Sequence, residues 1–248
     1  METRKQKEIE YYDKSARATD GGDFEGFTPT ALNSFRFLYE LVAPLIKGKN
    51  VLDYGCGNGI HTGFLAEHAA KVTAIDLSEK SLETARKRFN TQDGLRIKFL
   101  KMDAEKMDFP DGSFDVVFDG GTFSSLDIAK AIPEIARVLK LSGVLVGIET
   151  FGHNPILNLK RKLNVLRGTR TEWAATHILR QEDVKLMSRY FQNVKLYYFH
   201  IVSWAAFPFL RFPSGKLLLK LLEAIDTALV KIPFMRKYAF KVVFIVSK

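Results

Sequence analysis

One stretch limits the possible fold of this chain more than any other. It is Val51-Leu52-Asp53-Tyr54-Gly55-Cys56-Gly57-Asn58-Gly59, followed by Val72-Thr73-Ala74-Ile75-Asp76. An apolar run, a glycine turn opening a helix, and a second apolar run ending in an acid form the pattern of a doubly wound α/β sheet that holds an adenosine-bearing ligand. Glycine lets the backbone come close where a Cβ would collide. Asp76 follows the turn by about twenty residues, where a carboxylate can accept from both hydroxyls of a ribose. Asp53 and Asp76 each end an apolar run, where an unpaired carboxylate is costly, so both are read as ligand contacts.

The turn also discriminates among adenosine ligands. A dinucleotide fingerprint is G-x-G-x-x-G, whereas here the sixth position is Ile60. Asp53 places a negative charge where a dinucleotide would bring its pyrophosphate, and like charges repel. An ammonium or sulfonium is attracted instead. S-adenosylmethionine carries both cations, and an NAD-dependent oxidoreductase is the disfavoured alternative.

From Lys49 to Glu149 the chain resembles the class I S-adenosylmethionine-dependent methyltransferases. Val51 to Gly59 is similar to their glycine loop, including Asp53, Gly55, Cys56, Gly57 and Gly59. Asp76 resembles the ribose acid and Leu77 the apolar residue against adenine. Lys101-Met102-Asp103-Ala104-Glu105 resembles the segment whose acid meets the adenine amino group, with capping of the next helix as the other reading of Asp103. Ser113 to Phe118 resembles the fourth strand, with Asp119 at its cofactor-facing end, and Glu134 to Val146 the helix, turn and fifth strand. The resemblance implies S-adenosyl-L-methionine as methyl donor, S-adenosyl-L-homocysteine as product, and no metal.

The remaining patterns agree. Strands are expected over 51–54, 72–75, 97–100, 114–118, 144–149, 194–201 and 240–246, separated by helical patterns. That gives a Rossmann-like, seven-stranded, mostly parallel sheet covered on both faces. The resemblance puts the last strand antiparallel at the sheet edge. The domain reading is one methyltransferase domain: an N-terminal helical lid over 1–48, a cofactor core over 49–150, and an acceptor side over 151–248. With 248 residues, 46% of them hydrophobic, the chain can bury such a core. Cys56 is the single cysteine, which excludes an intramolecular disulfide and suits a reducing compartment. The N-terminus lacks the apolar core of a signal peptide, and no uncharged run is long enough to span a bilayer. A cytoplasmic protein is the default, with contact at the inner face of the membrane left open.

Two additions would choose the methyl acceptor. Lys5–Ala18 reads as a helix that Asp20-Gly21-Gly22-Asp23 breaks. Its Tyr11-Tyr12-Asp13 resembles an aromatic lid that places Tyr12 at the cofactor; simple packing of the tyrosines is the alternative. After the fifth strand, Glu149-Thr150-Phe151-Gly152-His153-Asn154-Pro155 falls where this fold builds its ligand crevice. His153 is the candidate base for a hydroxyl acceptor, His177 the second, while His61 is assigned to the first turn of the cofactor helix. Many relatives carry a histidine after strand four, where this chain has Ser124-Ser125. The His-Asn-Pro loop loosely resembles one in methyltransferases of glycans and lipid-linked sugars. Lys160, Arg161, Lys162, Arg167 and Arg170 either meet an anionic group on such an acceptor or form a solvated helix face.

Trp204 to Phe234 is unusually apolar. Its helix, read over 216–231, groups Lys216, Lys220, Glu223, Thr227 and Lys231 on one side, against a broad face including Leu217, Leu218, Leu221, Leu222 and Ile225. That face fits packing on the sheet, a homodimer, an apolar acceptor pocket or a membrane surface. The net charge of +9 favours anionic partners in general. No basic motif with interleaved aromatics argues for nucleic acid. The expected function is methyl transfer to an oxygen, less readily a nitrogen, of an amphipathic or anionic small molecule, lipid or glycan intermediate. A non-catalytic, membrane-associated scaffold retaining the cofactor fold is the reading from another class.

Overall fold

A computed structural model describes residues 2–19, 32–89 and 96–248. The expected helix break at Asp20–Asp23 lies outside them. Seven strands form one sheet: β1 (Asn50–Tyr54), β2 (Lys71–Asp76), β3 (Ile97–Lys101), β4 (Phe114–Asp119), β5 (Leu139–Thr150), β6 (Val194–Phe199) and β7 (Lys241–Ser247). Their order is β3-β2-β1-β4-β5-β7-β6, with β1 to β5 mutually parallel. Strand β7 lies antiparallel between β5 and β6, so β6 rather than the last strand occupies the edge. This corrects the expected position of the last strand. Its residues Val242, Val243, Phe244 and Val246 are buried, as suits an interior strand and not a sheet margin.

The helices cover both faces. On one side α2 (Asn33–Ile46) and α3 (Thr62–His68) bury Leu38, Val42, Ile46 and Leu65 against Val51, Val72 and Val116. On the other, α5 (Ile128–Val138) turns Ile128, Ala131, Ile132 and Ile135 inward, its N-terminus capped by Asp127, which accepts from Ala129 N at 3.2 Å. The remaining helices are α1 (Glu2–Thr19), α4 (Glu79–Phe89), α6 (Pro155–Leu166), α7 (Glu172–Thr176), α8 (Gln181–Met187) and α9 (Pro213–Leu229). The His-Asn-Pro motif has a local cause: Asn154 caps α6, accepting from Ile156 N and Leu157 N at 3.1 and 3.3 Å, and Pro155 takes the first helical position.

Helix α9 departs from the expected arrangement. Glu223, placed with the lysines on the solvent side, is buried along with Asp226, while Leu217, Leu218, Leu221 and Ile225 are exposed. The reason is backbone hydrogen bonding. Glu223 Oε1 accepts from Asn33 N at 3.3 Å, and Asp226 accepts from Val202 N at 2.8 Å and Ser203 N at 3.3 Å. These amides begin α2 and a 3₁₀ turn (Ser203–Phe209), where donors lack helical partners. The acids therefore face inward, and only Leu219 of the leucines joins the buried cluster with Leu32 and Ala206.

The sheet reaches the functional end through a stack of Phe244 on Phe123, centroids 5.7 Å apart, Phe123 opening a 3₁₀ turn (Phe123–Ser125) after β4. Both rings are fully buried. Phe244→Ala is expected to lower unfolding stability by about 3–5 kcal/mol in urea titration, through lost burial and a cavity. A loss below about 1 kcal/mol would show that the stack does not anchor that turn.

Candidate active site

The chain reverses direction in the sheet between β1 and β4, and the crevice beyond the carboxyl ends of those strands is where such folds bind ligands. A cavity of about 180 Å³ lies there. Gly55 and Gly57 from the turn after β1, Asp76 and Leu77 from the end of β2, Asp103 and Ala104 after β3, and Gly120 to Thr122 after β4 form its wall. Four separate strand ends thus meet at one place.

Asp76 organises the centre of this wall. Its Oδ2 accepts from Gly57 N at 2.9 Å and its Oδ1 from Ser78 N at 2.8 Å. Each oxygen retains a lone pair, as a ribose diol requires. Burial pushes this carboxyl upward, and the amides oppose that shift by favouring the charged form. Ser78 also caps α4, its Oγ accepting from Ser81 N at 3.0 Å. Two glycines are obligatory for different reasons. Gly57 has φ +53° and open space where a Cβ would stand. Gly55 has φ +67°, and a Cβ there would lie 2.3 Å from Thr122 Oγ1, which donates to Tyr54 O at 3.0 Å. Open backbone at Gly57, a clamped acid, and Leu77 and Ala104 as apolar neighbours fit an adenosine-bearing cofactor.

Helix α1 closes the cavity. Arg4, Lys5, Glu8, Ile9 and Tyr12 contribute to its wall. Tyr12 Oη meets Ser125 Oγ at 2.9 Å, Asp13 Oδ1 accepts from Ser78 Oγ at 2.5 Å, and Tyr11 Oη donates to Thr169 O at 3.0 Å. Lys5 Nζ pairs with Asp103, and Arg4 Nη2 donates to Glu105 Oε1 at 2.5 Å. The Asp103 carboxylate also accepts from Glu105 N at 2.9 Å, a local turn bond.

Other residues singled out in the sequence stand elsewhere. Asp53 is buried behind the cavity, accepting from Thr62 Oγ1 at 2.6 Å, and burial pushes its carboxyl up to about 7. Cys56 packs with Ala74, Leu82 and Ala85, its thiol pushed well up by burial and therefore inert at neutral pH. Gly59 packs on Phe89. His153 lies outside the cavity wall, with Nε2 accepting from Gln181 N at 3.3 Å. His177 stacks on Trp173 at 3.5 Å in a separate surface cleft. Asp119 lies fully buried beneath Gly120, accepting from Thr122 N at 2.9 Å, beside Glu149, which accepts from Phe123 N at 2.5 Å. Burial raises both carboxyls, and Glu149 raises Asp119 further.

His61 packs against Gly120 of the cavity wall without itself lining the cavity. A Cβ on Gly120 would lie 3.1 Å from its Nε2, while its Nδ1 shares a 2.8 Å hydrogen bond with Tyr39 Oη. Burial, with Lys241 adding to it, pushes His61 down to about 4, so the ring is neutral at pH 7. Its neighbours Phe35, Tyr39, Phe118 and Gly120 are all distant in sequence, so no local pattern carries this placement.

The Asp53 carboxyl makes a signed prediction. Its folded value lies above the usual carboxylate range, so between about pH 4 and about 7 the folded chain keeps a proton that the unfolded chain has released. That contribution is fully present at the acid end and is lost as pH rises through 7. In urea titrations of the ligand-free protein, Asp53→Asn should flatten the decline across this window, by no more than about 4 kcal/mol. Parallel curves for the two proteins would show that Asp53 is ionised throughout.

Residues 52–147 match the family model described as a methyltransferase domain. The chain is 35% identical over 112 residues to an uncharacterized methyltransferase, YodH, of Bacillus subtilis (strain 168), over 45% of this chain and 48% of that protein. It is 36% identical over 121 residues to demethylmenaquinone methyltransferase of Clavibacter sepedonicus, covering 48% of each. The match therefore spans about half the length of these curated relatives. Phosphoethanolamine N-methyltransferase 2 of Haemonchus contortus, solved with S-adenosyl-L-methionine, shares the fold at a TM-score of 0.63 and 17% identity, over 86% of this chain and 51% of that one. Residues 52–147 are thus similar to a methyltransferase domain, and the strand order agrees with the fold of the solved neighbour.

Proposed function

We propose that the protein transfers a methyl group from S-adenosylmethionine to an oxygen of an anionic, amphipathic acceptor: a small molecule, lipid or glycan intermediate. The observation that carries this reading is the Asp76 carboxylate, fixed by two backbone amides at the floor of a cavity whose wall holds Gly55, Gly57, Leu77, Asp103 and Ala104. Bound there, the cofactor supplies a methyl carbon activated by a positive sulfur. Asp76 would hold the ribose, Leu77 and Ala104 the adenine faces, and Asp103 the adenine amino group after exchanging its contact with Lys5. Tyr12 and the rest of α1 exclude water from the reacting centre. Asp53 and Asp119 act from behind the wall through the loops they brace.

Positioning supplies most of the rate in such a displacement. A hydroxyl acceptor must also lose a proton, and neutral His61 beside Gly120, oriented by Tyr39, takes that role. His153 braces the acceptor-side loop through Gln181. The anionic character of the acceptor rests on charge balance. Arg161, buried and pushed down to about 10 by that burial, bonds only neutral oxygens, those of Asn158 and Phe151. Arg170 likewise bonds Ser124 Oγ and Ala174 O, and its Nε is buried without an acceptor. With Lys241, which feels both Asp119 and Glu149, these cations make no ion pair among the described residues, an excess of positive charge that an anionic substrate would offset. Relatives named for demethylmenaquinone and a fold neighbour named for geranyl diphosphate show how varied the acceptors of this fold are.

Incubation with methyl-labelled S-adenosylmethionine and a cell extract, followed by separation into lipid, glycan, macromolecular and soluble pools, tests the reading. Label is expected in an anionic component of the lipid or glycan pool, and His61→Gln should slow its appearance about a hundredfold. Label confined to uncharged soluble molecules would remove the acceptor assignment. No label in any pool, with S-adenosylhomocysteine still bound, would return the scaffold reading.

A further inference from the structure

Helix α9 is inverted relative to an ordinary surface helix. Its two acids are buried and bonded, while Leu217 is 72% and Leu221 62% exposed, with Ile225 one turn further on. Single exposed leucines need no explanation, but a continuous apolar stripe along a 17-residue helix does. Phe209 and Phe212, which lead into the helix, are also exposed, and Phe234 beyond it is 66% exposed. Asn154 Nδ2 donates to Tyr238 O at 3.0 Å, which seats the start of α6 against the turn that carries Phe234. Helix α6 has its own exposed stripe: Ile156, Leu159, Leu163 and Leu166.

Charge decides what covers this face. From Trp204 to Tyr238 the chain has six Lys and Arg, and its only acids are the buried Glu223 and Asp226. From Pro155 to Thr171 it has five Lys and Arg and no acid. Lys216 and Lys220 flank the α9 stripe and Lys160 and Lys162 the α6 stripe, all of them exposed. A second copy related by a two-fold axis would bring the same cations face to face, which disfavours self-association here. No helix among the described residues is long and apolar enough to cross a membrane, so insertion by that route is not the use of these leucines. A helix of this length with leucines outward and lysines beside them suits burial in the interface of a charged bilayer.

We propose that the face centred on Leu217, Leu221 and Ile225 of α9 docks on an anionic lipid bilayer. The aliphatic and aromatic side chains enter the headgroup boundary, and Lys216, Lys220 and their neighbours meet the lipid phosphates. This docking stands independently of the transfer reading.

Cosedimentation of the full chain with phosphatidylcholine vesicles, and with vesicles enriched in phosphatidylglycerol, tests it. Binding is expected only to the anionic vesicles and should weaken about tenfold or more when salt is raised well above physiological strength. The double variant Leu217→Glu, Leu221→Glu should lose this binding, and Lys216→Glu, Lys220→Glu should reduce it comparably. All four positions are exposed, and unchanged thermal melting would show that the fold is kept. Equal binding to both vesicle types, no binding, or binding untouched by the variants would overturn the proposal. So would a dimer seen in sedimentation velocity that the leucine variants dissolve. S-adenosylhomocysteine titrated into the same samples separates the two readings: retained cofactor binding without vesicle binding defeats the surface alone, and the converse defeats the transfer reading alone.

Discussion

The clamp on Asp76 is the interaction from which the functional end of the molecule is built. One carboxylate at the tip of β2 accepts from the glycine turn after β1 and from Ser78 at the start of α4. The same Ser78 caps α4 and donates to Asp13 of α1. A single acid thus ties two strand ends, a helix start and the closing helix into one arrangement. Two amide donors offset much of what burying this charge costs. The surrounding contacts extend the clamp: Tyr54 Oη donates to Ala104 O at 2.8 Å, and Thr122 reaches Tyr54 O across the space that Gly55 leaves free.

Much of this was legible in the chain because it is local. The apolar runs fix β1, β2 and β4 by burial on both faces, and Gly55, Gly57, Asp76 and Leu77 follow directly from strand ends. Asp103 and Ala104 fall at the next strand end for the same reason. Long-range choices were not legible. Periodicity showed two faces on α9 but not which would turn inward, because the decision rests on amides of Asn33 and Val202 supplied by distant elements. His153 and His177 have the right chemistry but do not line the cavity: His153 accepts from Gln181 N, and His177 stacks on Trp173. His61 comes against Gly120 because α3 starts beside the turn after β4.

Charge is distributed unevenly between the two halves of the molecule. Acids cluster inside, at Asp53, Asp76, Asp119 and Glu149, where burial raises each of them. Cations gather on the segments after β5 and β6, with few acids to answer them. Under the proposed function, this acidic interior and basic exterior would suit a positive donor and a negative acceptor. Helix α1 bridges the two, with Lys5 and Arg4 paired to Asp103 and Glu105 over the cavity.

In the proposed function the clamped Asp76 holds the ribose of an adenosine cofactor, and Asp53 with Ile60 in the turn disfavours a pyrophosphate. Calorimetric titration of the wild-type chain and Asp76→Asn with S-adenosylhomocysteine, and separately with NADH, tests it most directly. The account predicts saturable binding of S-adenosylhomocysteine and none of NADH, with affinity in Asp76→Asn reduced about tenfold or more, the loss of charge-assisted hydrogen bonds to ribose. Binding of NADH, or equal affinity of the two proteins for S-adenosylhomocysteine, would contradict it.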